Sequence, residues 1–179
     1  MGEGEVDVSA VDRLRHLAND DWLIVHGVHL TDQHGLAGTV VHNPRSNMNN
    51  GVGYAKPERF VNPVALGTDG IGADMVDEFR LAYFRQRESD VTASPEMAWK
   101  WLSTGWDLFP EARSDRVVWN YQPMDAWHLA FTSGVSPIEV VVGGQLMLAD
   151  GLPTQVDPKE VRTRAAEEAK RLHERLSSR

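Results

Sequence analysis

A chain of 179 residues, 41% apolar and 25% charged, has the make-up of a folded globular protein. It is nevertheless shorter than the roughly 250 residues that a complete eight-stranded α/β barrel takes. With 18 Lys plus Arg against 26 Asp plus Glu, the formal charge is −8. That balance argues against a general binder of nucleic acid or of anionic membranes, both of which need basic surface, and leaves a small molecule or a protein as the expected partner. There is no cysteine, so disulfides, Cys-ligated zinc and iron–sulfur clusters are ruled out, and any metal must be held by His and carboxylates.

The opening MGEGEVDVSAVDRLRHLAND carries acids where a secretory signal has a basic start and an apolar run. No stretch reaches the ~18 apolar residues of a membrane span, so the expectation is a cytoplasmic chain. Val11, Leu14, Leu17 and Ala18 recur at helical spacing and predict a helix end. WLIVHGVHL, from Trp22 to Leu30, is a continuous apolar run of the kind found in parallel strands covered on both faces. TVVHN, from Thr39 to Asn43, repeats the type, and the TDQHGLAG between them leaves room only for a short helix or an irregular turn. HNPRSNMNNGVGY then reads as a polar, turn-rich loop, PVALGTDG as a third strand, and Asp74–Arg87 as a helix. Asp74, Asp77 and Glu78 sit where carboxylates complement that helix's macrodipole.

Ser94 to Phe109 predicts a second helix, with Ser94 as N-cap and Pro95 in the first position. From Asp115 onward RVVWNY, IEVVV and QLMLA are short strand-like segments, and Gly143-Gly144 signals a hairpin of type I′ or II′. The closing segment predicts a helix with Asp157 as N-cap, Pro158 first and Glu160 as capping-box partner. Its stripe of Val161, Ala165, Ala169, Leu172 and Leu176 is expected to lie on a larger body.

Three successive parallel-type strands thus carry an ionisable residue near their carboxyl ends: His26, His42 and Asp69. That edge of an α/β sheet is where ligands bind, and two imidazoles with a carboxylate suit a metal or proton-transfer site. Each residue also has a plain structural reading, as a hydrogen-bonded core histidine or as an Asp capping the next helix. The Asn and Ser side chains of HNPRSNMNN are suited to orienting a polar ligand, and equally to simple turns. Trp99, Trp101 and Trp106 lie at helical spacing and read as packing residues rather than a pocket roof.

HGVHL, HNPRSNMNN with VGY, and LGTDGIGADMVDEFRLAYFRQR, in that order, resemble the second half of metal-dependent amidohydrolases, in particular the SsnA-like aminohydrolases. WHLAFTSG, VVVGGQLMLADG and the closing helix resemble that family's C-terminal region. The resemblance implies an α/β fold: about strands six to eight of a TIM-like barrel of eight βα units over residues 1–113, part of a small β-sandwich over 114–153, and a C-terminal amphipathic helix over 154–179. It implies a hydrolase of carbon–nitrogen bonds other than peptide bonds, acting on a small polar substrate through a metal-activated water. The metal would be a divalent ion, zinc first, with iron or manganese as alternatives.

By the same resemblance Asp69 is a metal ligand that also takes the proton from the bound water. His26 faces the substrate and the attacking water, and His42, Ser46 and Asn47 line the substrate pocket. The family's His-x-His pair is absent from this sequence. HLAND, from His16, has Asn19 where a strand-five motif would have Glu, and His16 reads as a surface residue at a helix end. One ligand cannot hold a catalytic ion. The competing readings are therefore a non-catalytic truncated remnant, or one half of a split enzyme whose partner supplies the N-terminal half-barrel. A homo-oligomer is also open, and the isolated chain is expected to be inactive.

Overall fold

The computed structural model describes residues 8–178. They divide into two compact units, one running to Pro110 and taking in Pro123–Thr132, the other made of Glu111–Gln122 and the residues from Ser133 onward.

The first unit is built on three parallel strands, β1 (Leu23–Val25), β2 (Thr39–His42) and β3 (Val64–Leu66), in the order β1-β2-β3. Leu23 stands opposite Thr39, Val40 opposite Val64 and His42 opposite Leu66. β3 is buried along its whole length and β2 nearly so, as continuous apolar runs predict. β1 departs from that expectation. It stops at Val25 instead of continuing to Leu30, and Leu23 and Val25 are exposed. The connection to β2 then runs from His26 to Gly38, long enough for a parallel crossover without a helix of its own.

Helix α1 (Val8–Arg15) precedes the sheet. Helices α3 (Met75–Ser89) and α4 (Pro95–Leu108) pack on it and on each other, and α5 (Ala126–Phe131) packs on both. The N-cap of α3 is Asp74, whose carboxylate accepts the N–H groups of Val76 and Asp77. Val76, Phe79, Ala82 and Tyr83 form its buried stripe, each large apolar side chain contributing roughly 1.5–3 kcal/mol. Trp101 of α4 is buried, whereas Trp99, packed edge-on against Phe79, and Trp106 are both exposed. Arg80 ties α3 to α5 by donating to the carbonyls of Leu129 and Thr132.

Between β2 and β3 the turn-rich segment is not a loop. Pro44–Asn49 forms a short helix, α2, with Pro44 in its first turn, where a missing N–H costs nothing.

The second unit is an antiparallel sheet of β4 (Arg116–Trp119), β5 (Pro137–Val142), β6 (Gln145–Ala149) and β7 (Leu152–Pro153), followed by α6 (Pro158–Ser177). Val142 pairs with Gln145 across Gly143 and Gly144, and both glycines have positive φ (56° and 80°), the requirement of a type I′ turn. The described residues form a single sheet here, with no second layer of a sandwich. Asp157 caps α6 through the Lys159 N–H. The apolar stripe is present, but Val161, Leu172 and Leu176 are all exposed, so the body expected to cover them is not supplied by the described residues. No described helix is long and apolar enough to cross a membrane.

Candidate active site at the carboxyl edge of the parallel sheet

The carboxyl ends of β1, β2 and β3 bring His26, α2 and Asp69 together. His26 follows the last residue of β1, and Asp69 opens a 3-10 turn three residues beyond β3. His26 Nε2 lies 3.6 Å from Asp69 Oδ2. The Ser46 hydroxyl donates to the same Oδ2 at 2.5 Å, and the Gly70 N–H donates to Oδ1 at 2.7 Å. These two donors, Ser46 first, hold the Asp69 carboxyl below the usual carboxylate range. On the other side of the imidazole, Nδ1 is 2.8 Å from Asn47 Oδ1 and 3.5 Å from Asn43 Nδ2. Asn50 Nδ2 donates in turn to Ser46 Oγ at 3.2 Å.

Both side chains sit on left-handed backbone. His26 has φ 70° and Asp69 φ 53°, two of the four non-glycine residues of positive φ in the described chain. Conformations of this kind persist only where surrounding contacts enforce them, and they cluster at functional sites. Around His26 the enforcement is visible: Gly27 also has positive φ, Phe60 leaves little room beside it, and the Arg59 guanidinium donates to the Gly27 carbonyl.

The expected site residues separate into two layers. His26 and Asp69 keep 40% and 38% of their side-chain surface accessible, so a ligand can reach them. Ser46 and Asn47, expected to line the substrate pocket, are buried; the Ser46 hydroxyl donates to Asp69 and Asn47 Oδ1 bonds His26, while Asn47 Nδ2 has no hydrogen-bond partner among the described residues and Asn47 borders the cavity beside His26. His42, also expected to line the pocket, lies in the core instead. It is 1% exposed, its ring packs edge-on against Tyr54 and Trp101, and neither ring nitrogen has a hydrogen-bond partner. Burial first, and the nearby His26 second, lower its pKa to about 4, so His42 is a neutral core imidazole. It sits on the inward face of β2, where the pleat sends it into the core rather than to the ligand edge. His16 lies exposed just beyond the end of α1, as the sequence reading has it.

Two residues of the site carried no signal of their own. Asn43 and Asn50 were legible only as part of an asparagine-rich run. Glu78, read from the sequence as a carboxylate placed for the helix macrodipole, is fully buried and receives the Arg45 Nε–H at 2.7 Å.

Beside His26 a cavity of about 390 Å³ is lined by apolar Ile24, Val28 and Leu36 and by polar His29, Asn47 and Asn50. Its size is in the range of small-molecule sites. Among the described residues, no group of three or more His, Cys, Asp or Glu is placed to hold a metal ion. His26 and Asp69 together offer two donors, and protein sites for a divalent ion normally supply three or four, so these residues do not by themselves fit the ion.

No family model matches the chain. It is 34% identical over 99 residues to a 5-methylthioadenosine/S-adenosylhomocysteine deaminase of Shouchella clausii, a match covering 49% of this chain and 23% of that protein. It is 42% identical over 91 residues to the protein of the same name from Thermococcus sibiricus, covering 44% of this chain and 21% of the relative. The matched region is thus less than a quarter of the length of these relatives. Among solved structures, the crystal structure of an adenosine deaminase from Xanthomonas campestris with bound zinc superposes with a TM-score of 0.70 at 22% identity. That superposition covers 93% of this chain and 45% of the deaminase, and it is a likeness of fold. Over about half its length the chain is therefore homologous to deaminases of the amidohydrolase family.

Proposed function

We propose that this chain supplies part of the catalytic site of a metal-dependent hydrolase that releases ammonia from a carbon–nitrogen bond of a small, nucleoside-like substrate. The observation that carries the reading is the approach of His26 to Asp69 at the carboxyl edge of three parallel strands, with the Ser46 hydroxyl donating to the same carboxylate oxygen. An ionised carboxylate at this position can take a proton from an attacking water and return it to the departing amine, so that water adds oxygen to carbon and ammonia leaves. His26, accessible on the same edge, is placed to orient the water or the substrate atom that it attacks. The cavity next to it has apolar and amide-bearing walls that suit a flat, polar heterocycle.

The three strands stand as strands six to eight of a TIM-like barrel in this reading, residues 1–113 being the barrel part. The antiparallel sheet of 114–153 is then part of a small sandwich, and 154–179 is the closing helix. The remaining metal ligands come from strands carried by another stretch of polypeptide, in a longer chain or in a separate one. The competing reading, a non-catalytic remnant, draws on the same ligand count.

The test joins the chain to the portion of the Thermococcus sibiricus relative that it does not match. Ammonia release from adenosine, 5-methylthioadenosine and S-adenosylhomocysteine is then assayed for the chain alone and for the fusion. The chain alone is expected to release none and to lose zinc, iron and manganese on dialysis against a weak chelator. The fusion is expected to turn over at least one substrate, with Asp69→Asn costing roughly 10²–10⁴-fold. Stoichiometric metal retained by the chain alone would overturn the need for further ligands, and a fusion indifferent to Asp69→Asn would remove Asp69 from the chemistry.

A further inference from the structure

We infer that Glu78 is a positioning residue that sets the site from behind, an inference that rests on reading His26 and Asp69 as the reactive pair. Helix α2 is only six residues long, and its N-cap, Asn43, makes no side-chain capping bond. Pro44 has no N–H to offer, so the first free donor of α2 is the N–H of Arg45. That N–H is received by Glu78 Oε2 at 3.3 Å, while Oε1 receives the Arg45 Nε–H at 2.7 Å. A carboxylate in α3, fully buried, therefore does the capping that α2 lacks in its own sequence. The Arg45 guanidinium continues outward to Asp77 at 3.4 Å.

The two residues after Arg45 are the ones that grip the reactive pair, Ser46 on Asp69 and Asn47 on His26. A rotation of so short a helix moves both contacts at once. Glu78 also lies against the turn that carries Asp69: a Cβ on Gly72 would come within 3.2 Å of Glu78 Oε1 and 3.1 Å of Arg45 Nε. One buried carboxylate thus abuts both α2 and the Asp69 turn. A charged, buried and doubly bonded group has a single favourable placement, because any shift strands its charge away from a partner. That makes it a stiff reference point for the two side chains it does not touch.

The experiment reads the hydrogen bond between His26 Nδ1 and Asn47 in the full 179-residue chain, without substrate or metal. The ¹⁵N chemical shift of His26 Nδ1 is measured at about pH 8, where imidazoles in general are mostly neutral. The Asn47→Ala variant defines the value without the bond. Glu78→Gln, close in shape but uncharged, is expected to move the shift most of the way to that value. In the Asn47→Ala background it is expected to add nothing, since the link has already been cut. A Glu78→Gln chain that melts earlier but keeps the wild-type His26 shift would mean a merely structural role and overturn the inference, and so would an equal added effect in the Asn47→Ala background. If Glu78→Gln does not fold, Arg45→Met reads the same link from the other side, with the same expected direction, and an unchanged shift there overturns it as well. Because no catalysis is measured, a failed deaminase reading leaves this result standing, and a failed link leaves the deaminase assay untouched.

Discussion

His26 and His42 are two histidines from similar apolar strands with opposite fates, and the difference lies in where each backbone is when the imidazole leaves it. His42 is still within β2 and faces the core, where desolvation keeps it neutral with a pKa lowered to about 4. The unfolded chain holds the proton at ~6.5 and the folded chain does not, so stability is full above pH ~6.5 and falls as the pH drops towards 4. Over that window the loss is about 3 kcal/mol from this one group, and it is complete below pH 4. Denaturant midpoints measured from pH 7 to pH 4 are expected to show it, and a His42→Phe chain is expected to have a flatter acid limb. His26, one residue past β1, has turned into left-handed backbone and keeps its ring at the accessible edge. The Asp69 carboxyl is held below the usual range chiefly by the Ser46 hydroxyl, so Ser46→Ala is expected to raise its pKa towards the ordinary carboxylate value; a carboxyl ¹³C titration that finds no rise would contradict that assignment.

At the scale of elements, the periodic segments α3, α4 and α6 and the Gly143-Gly144 hairpin were legible because local physics decides them. N-caps, apolar spacing and positive-φ turns all act within a few residues. Helix α2 was not legible. Six residues rich in Asn and Ser have weak helix propensity, and the contacts that stabilise them come from Glu78, more than thirty residues away. The end of β1 was hidden for a related reason, since the apolar run continues past the point where Gly27 and the Arg59–Phe60 corner bend the chain. Packing between elements is tight at Gly67, where a Cβ would lie 2.4 Å from Asn43 Oδ1 and 2.8 Å from Val41 Cγ1. Gly67→Ala is expected to cost about 1–3 kcal/mol in denaturant melts and to displace Asn43 from His26, visible as a shifted His26 imidazole signal.

At the scale of the whole molecule, two features point to surface that something else covers. β1 is an edge of a parallel sheet with Leu23 and Val25 exposed, and α6 shows its apolar stripe to solvent. Parallel sheets are rarely left open at an apolar edge, because unpaired strand groups and exposed branched side chains recruit other chains. The isolated chain is therefore expected to self-associate in sedimentation velocity, and Val25→Lys to shift it towards smaller species. A monodisperse monomer with one cooperative melt would count against this.

The sequence by itself determined the α/β class, the order of strands carrying His26, His42 and Asp69, and the family resemblance. These reside in patterns and motifs that are local along the chain. Only the tertiary structure decided which of those residues meet. It set His26 beside Asp69, sent His42 into the core, bonded Ser46 to Asp69 and Asn47 to His26, and put Glu78 behind them. The physical reason is that burial and hydrogen-bond pairing are properties of neighbours in space. A side chain one residue beyond a strand and one still inside it look alike in sequence, and only the bend of the backbone separates them.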